Sequence, residues 1–313
     1  MPESRTKLVA AFAAVYVVWG STYLAIHYAI ATIPPFLMAG IRFVIAGGIM
    51  YAWGSARGAT RPTRLQWRNT SIIGVLLLMG GNGAVVWAEQ TVPTGIAALL
   101  VSFLPLWLVV LDWIRPGGKR PSGGVAAGIA LGLLGMGVLV GPDSFRGAGP
   151  VNVWGALALV LASLSWAAGS LFAKHADLPS QVLTTGMEML AGGVALLALA
   201  TVTGEIRHFH PRAVSSASLL GLVYLISFGS LIGFSAFSWL LKHASATAVG
   251  TYAYVNPVVA VFLGWLVAGE VVTPRTLLGA GIIIASVGII STVSSGVGPR
   301  QQALIKAPSL RRS

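Results

Sequence analysis

The stretch Gly250-Thr-Tyr-Ala-Tyr-Val-Asn-Pro-Val-Val-Ala260 places a proline in the middle of an apolar segment, 246–268, that is long enough to cross a bilayer. Pro257 has no N–H, so the carbonyl of Ala253 loses its hydrogen-bond partner within a helix. Because the bilayer core offers no water, such a carbonyl must be satisfied by protein, by a ligand or by water in a cavity. The stretch therefore predicts a membrane helix that is interrupted beside a polar site.

A second proline has a matching position in the first half of the chain. Pro105, within Ala98-Leu-Leu-Val-Ser-Phe-Leu-Pro-Leu-Trp107, lies near the centre of its own apolar segment and releases the carbonyl of Val101. Paired interruptions in two corresponding hydrophobic segments are typical of a transporter's substrate site. We expect the two kinks to meet near the middle of the bilayer and to leave both carbonyls available to a guest molecule.

The composition indicates a polytopic membrane protein whose main partner is the lipid bilayer. Of 313 residues, 56% are hydrophobic and 9% are charged, with a mean hydropathy of +0.82, whereas soluble domains have roughly 25% charged residues. The net charge of +12 comes from Lys and Arg in short loops, so we expect no nucleic-acid partner. The chain has no cysteine, which excludes a disulfide, a thiol nucleophile and a cysteine-ligated metal.

Ten apolar segments separated by turn residues predict an all-α integral membrane protein with ten transmembrane helices. The first segment is too long and too aromatic for a cleaved signal peptide, and we interpret it as a spanning helix. The polar, basic tail is expected to be disordered. The segments are 8–28, 35–54, 70–89, 94–114, 123–141, 152–173, 180–203, 215–241, 246–268 and 274–294, and the tail is 296–313.

The two halves of the chain repeat. Trp19 and Trp166 occupy corresponding places in the first helix of each half, and Trp87 and Trp239 each precede the central proline by 18 residues. Because five helices per half is an odd number, the second copy must enter the membrane upside down. This predicts two inverted five-helix repeats around a central cavity. The predicted domains are residues 1–145, residues 146–295 and the tail 296–313.

The distribution of loop charges predicts the orientation in the membrane. If the N-terminus is cytoplasmic, the cytoplasmic side collects 15 of the 20 Lys and Arg residues and the opposite side holds four. Positive charge concentrates on the cytoplasmic side of membrane proteins. We therefore expect both termini in the cytoplasm and an even number of spans.

Three short motifs stand out in the apolar segments: Trp19-Gly20-Ser21, Gly40-Ile-Arg42-Phe43, and Asn256-Pro257 followed by Gly269-Glu270. They resemble landmarks of the EamA family of the drug/metabolite transporter superfamily. The resemblance covers about 8–294 and implies a basket of helices whose cavity is lined by helices one, three, four, six, eight and nine. It also implies export of amino acids or other small metabolites across a bacterial inner membrane, with exporters of aromatic amino acids as a close match. The first half departs from the second in having Leu104 where Asn256 stands.

Polar and aromatic side chains at helical spacing supply the candidate site. For the aromatic residues the alternative is an interfacial belt, and for Asn256 it is a cap or a bond to a neighbouring helix. The predicted substrate-binding residues are Trp19, Tyr23, Asn82, Trp87, Ser102, Pro105, Ser163, Trp166, Tyr252, Asn256 and Pro257.

The chemistry of this predicted site suits a neutral zwitterion or a weakly polar metabolite. The released carbonyls and the Asn256 oxygen would accept from an ammonium group, and Trp19 and Trp166 would offer apolar faces and cation–π contact. No ionisable residue sits beside either proline, which argues against a nucleotide.

Two charges lie well inside apolar segments, Arg42 and Glu188. Such residues are usually paired or functional, and their corresponding positions in the two halves suggest a direct or water-mediated pair. Separate contacts for each residue, and a proton relay at Glu188, are open alternatives.

The favoured function is a secondary transporter that exports small metabolites, in particular amino acids, by alternating access. A multidrug exporter of the same fold and a membrane-embedded enzyme are the alternatives. No HExxH motif or Walker A sequence is present, so no metal, cofactor or direct ATP coupling is expected. Glycines spaced by four in the fifth segment predict close helix packing, so we expect a monomer and leave a dimer open.

Overall fold

A computed structural model describes residues 2–115, 120–141, 151–243 and 252–295. Within these ranges the chain forms helices and no strand, so the predicted all-α class is confirmed for this part of the protein. The basic tail 296–313 and Gly250, at the start of the proline stretch, lie outside the described residues.

The described residues contain ten long helices, α1 to α10. One helical turn, Glu205–His208, and a 3₁₀ turn, Pro211–Ala213, connect α7 to α8. The bounds are Pro2–Ala29 (α1), Pro35–Ala56 (α2), Arg64–Ala88 (α3), Thr94–Ile114 (α4), Gly123–Val140 (α5), Val153–Ala173 (α6), Gln181–Val202 (α7), Ser216–Tyr224 continued by Leu225–Ile232 and Gly233–His243 (α8), Tyr252–Ala268 (α9) and Pro274–Ser295 (α10).

Eight of these helices, α1 to α8, contain stretches that are long and apolar enough to cross a membrane by length and composition. The apolar stretches within α9 and α10 are shorter in the described residues, at Val255–Ala268 and Pro274–Ile290. The length and composition of these helices therefore indicate a membrane protein with several spanning helices. The presence of ten spans stays a prediction.

The helices pack in a few close pairs. Helix α2 packs along α7, and α5 packs along α10, while α1 contacts α8 and α9, and α6 contacts α3 and α4. Small residues allow these approaches: a Cβ atom added to Gly47 on α2 would lie 2.8 Å from the carbonyl oxygen of Gly186 on α7. Between α5 and α10, Ser286 Oγ donates to the carbonyl of Gly128 at 2.7 Å. Glycine and polar contacts of this kind replace the hydrophobic driving force that is missing between helices in lipid.

Two helices contain π-helical segments at corresponding places in the two halves of the chain. They are Val75–Gly83 in α3 and Leu225–Ile232 in α8. A π segment widens the helix and leaves carbonyls in altered positions, and such segments occur often at functional sites. In α3 one of these carbonyls, that of Leu76, accepts from Ser165 Oγ of α6 at 2.7 Å.

Candidate functional site

A cavity of about 120 Å³ lies among α1, α3, α4, α6, α8 and α9, and Arg42 of α2 also reaches it. These are the six helices that the family resemblance names, with α2 added. Seven of the predicted site residues line the cavity: Trp19, Tyr23, Asn82, Ser163, Trp166, Tyr252 and Asn256.

Trp87 and Ser102, which were also predicted to bind substrate, lie away from this cavity. Trp87 is 40% exposed and lines an outer pocket beside Asn152 and Trp154. Val85, two residues earlier, lines the cavity. Because successive helical residues point about 100° apart, the side chain of Trp87 points to the opposite side of the helix. Ser102 is buried, and its hydroxyl donates to the carbonyl of Leu99 at 2.6 Å.

The two prolines do not line the cavity either, and they differ in their effect on the helix. Near Pro105 the helix is divided into Thr94–Val101 and Leu104–Ile114. The residues of this region that line the cavity are Val101 and Leu104, and Pro105 is not among them. Pro257 lies inside the continuous helix α9 and lines a separate groove between α9 and α10. Successive helical residues point about 100° apart, so Asn256 faces the cavity while its neighbour faces away.

An aromatic cluster forms one wall of the cavity. The ring of Trp19 lies 5.3 Å from Phe234, 5.0 Å from Phe237 and 5.4 Å from Tyr252, measured between centroids. Trp19 Nε1 donates to the carbonyl of Gly229 at 3.2 Å, inside the π segment of α8. The indole is thus fixed at both its polar and its apolar edges, and it presents a rigid surface to a guest.

The opposite wall comes from α6 and α3. Trp166 packs against Gly81, where an added Cβ atom would lie 2.8 Å from the indole ring. Ser163 is buried, and its hydroxyl donates to the carbonyl of Val160 at 2.8 Å. Within the described residues the Asn82 amide has no hydrogen-bond partner, so both its donor and its acceptor are available to the cavity.

Asn256 connects α9 to α1. With the amide oriented so that its nitrogen donates, Asn256 bonds to the carbonyls of Tyr16 and Tyr252, each at 3.3 Å. The side chain is 8% exposed and lines the cavity. Asn256 therefore makes the bond to a neighbouring helix that was the alternative prediction, and it also lines the cavity.

Arg42 and Glu188 do not form a direct ion pair, although both belong to the described part of the chain. Arg42 instead donates from Nε to Ser230 Oγ at 3.0 Å, and its Cζ lies 4.7 Å from the centroid of the Phe43 ring. Glu188 is half-buried on α7, where its backbone packs against Gly74 of α3. The predicted direct pair is therefore wrong: the Arg42 side chain is directed toward α8, where it meets Ser230.

Two buried charged residues were not among the predicted substrate-binding residues. Arg42 lines the cavity, whereas the sequence suggested only a pair with Glu188. Glu89, directly after α3, is 5% exposed, and within the described ranges neither of its carboxyl oxygens has a hydrogen-bond partner. The signal for both was their position as rare charges in apolar segments.

The chain is similar to known proteins along most of its length. The model of the EamA-like transporter family matches residues 6–141 and 153–292. The chain belongs to the EamA-like transporter family. It is 38% identical over 285 residues to the uncharacterized inner membrane transporter YedA of Escherichia coli K12, covering 91% of this chain and 90% of that protein.

More distant proteins match over similar lengths. Protein PecM of Dickeya dadantii is 28% identical over 286 residues, covering 88% of this chain and 90% of PecM. A solved crystal structure superposes with a TM-score of 0.62 at 22% identity and covers 93% of this chain and 99% of that one. At this identity the structural likeness shows the fold alone.

Proposed function

We propose that this EamA-like protein is a secondary transporter of the bacterial inner membrane that exports small metabolites, in particular neutral amino acids, by alternating access. The observation that carries the proposal is the cavity between α1, α3, α4, α6, α8 and α9, with aromatic walls at Trp19 and Trp166. A zwitterion with an apolar side chain matches such walls. The small volume, about 120 Å³, favours a metabolite over a bulky drug.

We also propose that the chain consists of two inverted five-helix repeats. Three observations support this arrangement. The family model matches the chain twice. The π segments fall in the third helix of each half. Helix α1 contacts α8 and α9, and α6, its counterpart in the second half, contacts α3 and α4, which are the counterparts of α8 and α9 in the first half. Inverted repeats of this kind provide two alternative openings of one central site.

The remaining parts of the proposal concern placement. The excess of Lys and Arg in alternate loops favours both termini in the cytoplasm. We assign the inner membrane because the relative YedA is named an inner membrane transporter. We expect a monomer, with a small molecule and the bilayer as its partners and without nucleic acid.

Counterflow in proteoliposomes tests the function. Vesicles loaded with unlabelled L-phenylalanine, L-leucine or L-threonine should transiently accumulate the labelled form of the same amino acid, because a carrier exchanges its substrate. A channel gives no such overshoot, and an enzyme changes the compound recovered. If none of the three amino acids gives an overshoot, the assignment to neutral amino acids is wrong.

Matched tryptophan variants connect this activity to the cavity. Trp19→Ala and Trp166→Ala should each lower the overshoot strongly. Trp154→Ala should leave it unchanged, because Trp154 is 71% exposed on the outer surface. Equal effects of all three substitutions would argue against the cavity as the transport site.

A further inference from the structure

Arg42 stands in an unusual position for a charged side chain. It is 4% exposed, it lines the central cavity, and its Nη1 atom is buried without a hydrogen-bond partner among the described residues. Its Nε donates to the neutral hydroxyl of Ser230. An arginine keeps its charge under all physiological conditions, so the cavity wall carries a full positive charge there.

Nothing in the described part of the chain neutralises this charge. The described residues that line the cavity include no Asp or Glu, and no carboxylate forms an ion pair with Arg42. Burying a cation without a counter-charge is costly unless something compensates for it. The nearby ring of Phe43, 4.7 Å from Cζ, offers only a partial compensation.

The cation and the aromatic wall are positioned by two adjacent residues of the π segment in α8. The carbonyl of Gly229 accepts from Trp19 Nε1 at 3.2 Å, and the hydroxyl of Ser230 accepts from Arg42 Nε at 3.0 Å. Gly229 also gives the guanidinium room, because a Cβ atom there would lie 3.1 Å from Arg42 Nη2. One backbone segment therefore holds both an indole and a guanidinium. Nε of Arg42 is engaged with Ser230, and among the described residues neither Nη1 nor Nη2 has a hydrogen-bond acceptor.

We propose that Arg42 is the carboxylate-binding residue of the cavity, so that a transported molecule must carry a carboxylate that accepts from the guanidinium while its apolar part lies against Trp19. The inference rests on the proposed function and names the chemical group that the site selects. Arginine binds carboxylates through two parallel N–H donors. The amide of Asn82 is available to the polar remainder of the same guest. Amines without a carboxylate would meet an uncompensated positive charge and be rejected.

Binding of matched acids and amides to the purified full-length protein tests this proposal. The probes are L-phenylalanine, L-leucine and L-threonine, each compared with its C-terminal amide, and the readout is the dissociation constant from calorimetry. The acids should bind to the wild type about 10- to 100-fold more tightly than the amides, because an amide cannot replace a charged hydrogen bond. Amides that bind as tightly as acids, or a wild type that binds none of the acids, would overturn the proposal.

Variants separate the role of the charge from a role in folding. Arg42→Gln should remove the preference for acids over amides, and Arg42→Lys should retain part of it because the charge remains. Arg57→Gln is the control, since Arg57 is exposed and stacks on Trp53 away from the cavity. If Arg42→Gln is too unstable to purify, Arg42→Lys and Ser230→Ala carry the test, and an unchanged acid-to-amide ratio in both contradicts the proposal.

The same series distinguishes this inference from the proposed function. Counterflow of amino acid amides that is insensitive to Arg42→Gln would refute the carboxylate site and leave a transporter. Tight binding of acids that depends on Arg42, without counterflow of any of them, would support the site and refute transport of these amino acids.

Discussion

The carboxylate of Glu270 holds the first residue of α4, Thr94, by two hydrogen bonds, from the backbone N–H and from the hydroxyl, each 2.6 Å long. A third bond comes from the N–H of Gly95 at 3.2 Å. Pro93, which precedes the helix, provides no side-chain cap. Glu270 lies 176 positions from Thr94 in the sequence. It satisfies free N–H groups at the start of α4, and its negative charge complements the positive end of the helix dipole. The Gly269-Glu270 landmark has a structural role here.

Removing this cap should destabilise the protein. Glu270→Ala is expected to lower the free energy of unfolding by about 1–3 kcal/mol, because buried N–H donors lose a charged acceptor. The measurement is unfolding in detergent followed by circular dichroism. Asp112→Asn is the control: Asp112 forms an exposed pair with Arg115 at 2.8 Å, and such pairs contribute about 0–1 kcal/mol. Equal losses in the two variants would contradict the capping role.

Two adjacent glycines of α2 should respond in opposite ways to alanine. At Gly47 an added Cβ atom would lie 2.8 Å from the carbonyl oxygen of Gly186 and from the backbone nitrogen of Leu190, whereas at Gly48 no atom lies within 4 Å. Gly47→Ala must push α2 and α7 apart and should lower the melting temperature by several degrees. Gly48→Ala should keep or raise it, because alanine favours a helix by about 1 kcal/mol.

The support for the π segment of α3 can be tested with two serines of α6. Ser165 Oγ donates to the carbonyl of Leu76, on another helix, and Ser170 Oγ donates to Trp166 of its own helix. Ser165→Ala removes a hydrogen bond between α6 and the π segment and should cost about 1 kcal/mol of unfolding free energy. Ser170→Ala should cost less, since its helix carbonyl keeps backbone contacts. If Ser170→Ala lowered the free energy of unfolding as much as Ser165→Ala or more, the hydrogen bond from Ser165 would not be a special support of the π segment.

The unpaired amide of Asn82 should matter for transport more than for folding. Asn82→Leu keeps the approximate size of the side chain and removes its polar groups from the cavity wall. We expect an increase in the apparent KM of counterflow by about tenfold, as for the loss of one hydrogen bond, with little change in melting temperature. Gln90→Leu is the control, because Gln90 is exposed outside the cavity. An unchanged KM for Asn82→Leu would place the guest away from this wall.

The sequence predicted the broad structure because lipid imposes strong constraints. Long apolar segments must become helices when no water is present, so the all-α class followed from composition. Seven cavity residues, Trp19 and Asn256 among them, could be predicted because polar groups inside apolar segments are costly in lipid and usually face the protein interior or a cavity.

The rotation of each helix was harder to predict. In a membrane helix both the lipid-facing and the interior faces are apolar, so hydrophobic periodicity does not show which way Pro257 points. On α3 a regular α-helix would place Asn82, Val86 and Glu89 on one face, whereas Gly81, Asn82 and Val85 line the cavity. The π segment Val75–Gly83 lies within this stretch and alters the phase of the turn. Nothing in the composition of Val75-Leu-Leu-Leu-Met-Gly-Gly-Asn-Gly83 marks that widened turn in advance.

The widened turn of α8 also limits how the length of the chain can vary. Deleting one residue from Leu225–Ile232 would replace the widened turn by a regular α-helical turn. Gly229 and Ser230, which lie inside the segment, could then no longer meet Trp19 and Arg42 together. A substitution at an exposed position of this helix, such as Leu220, leaves those two contacts in place, whereas a change in the number of residues in the segment does not.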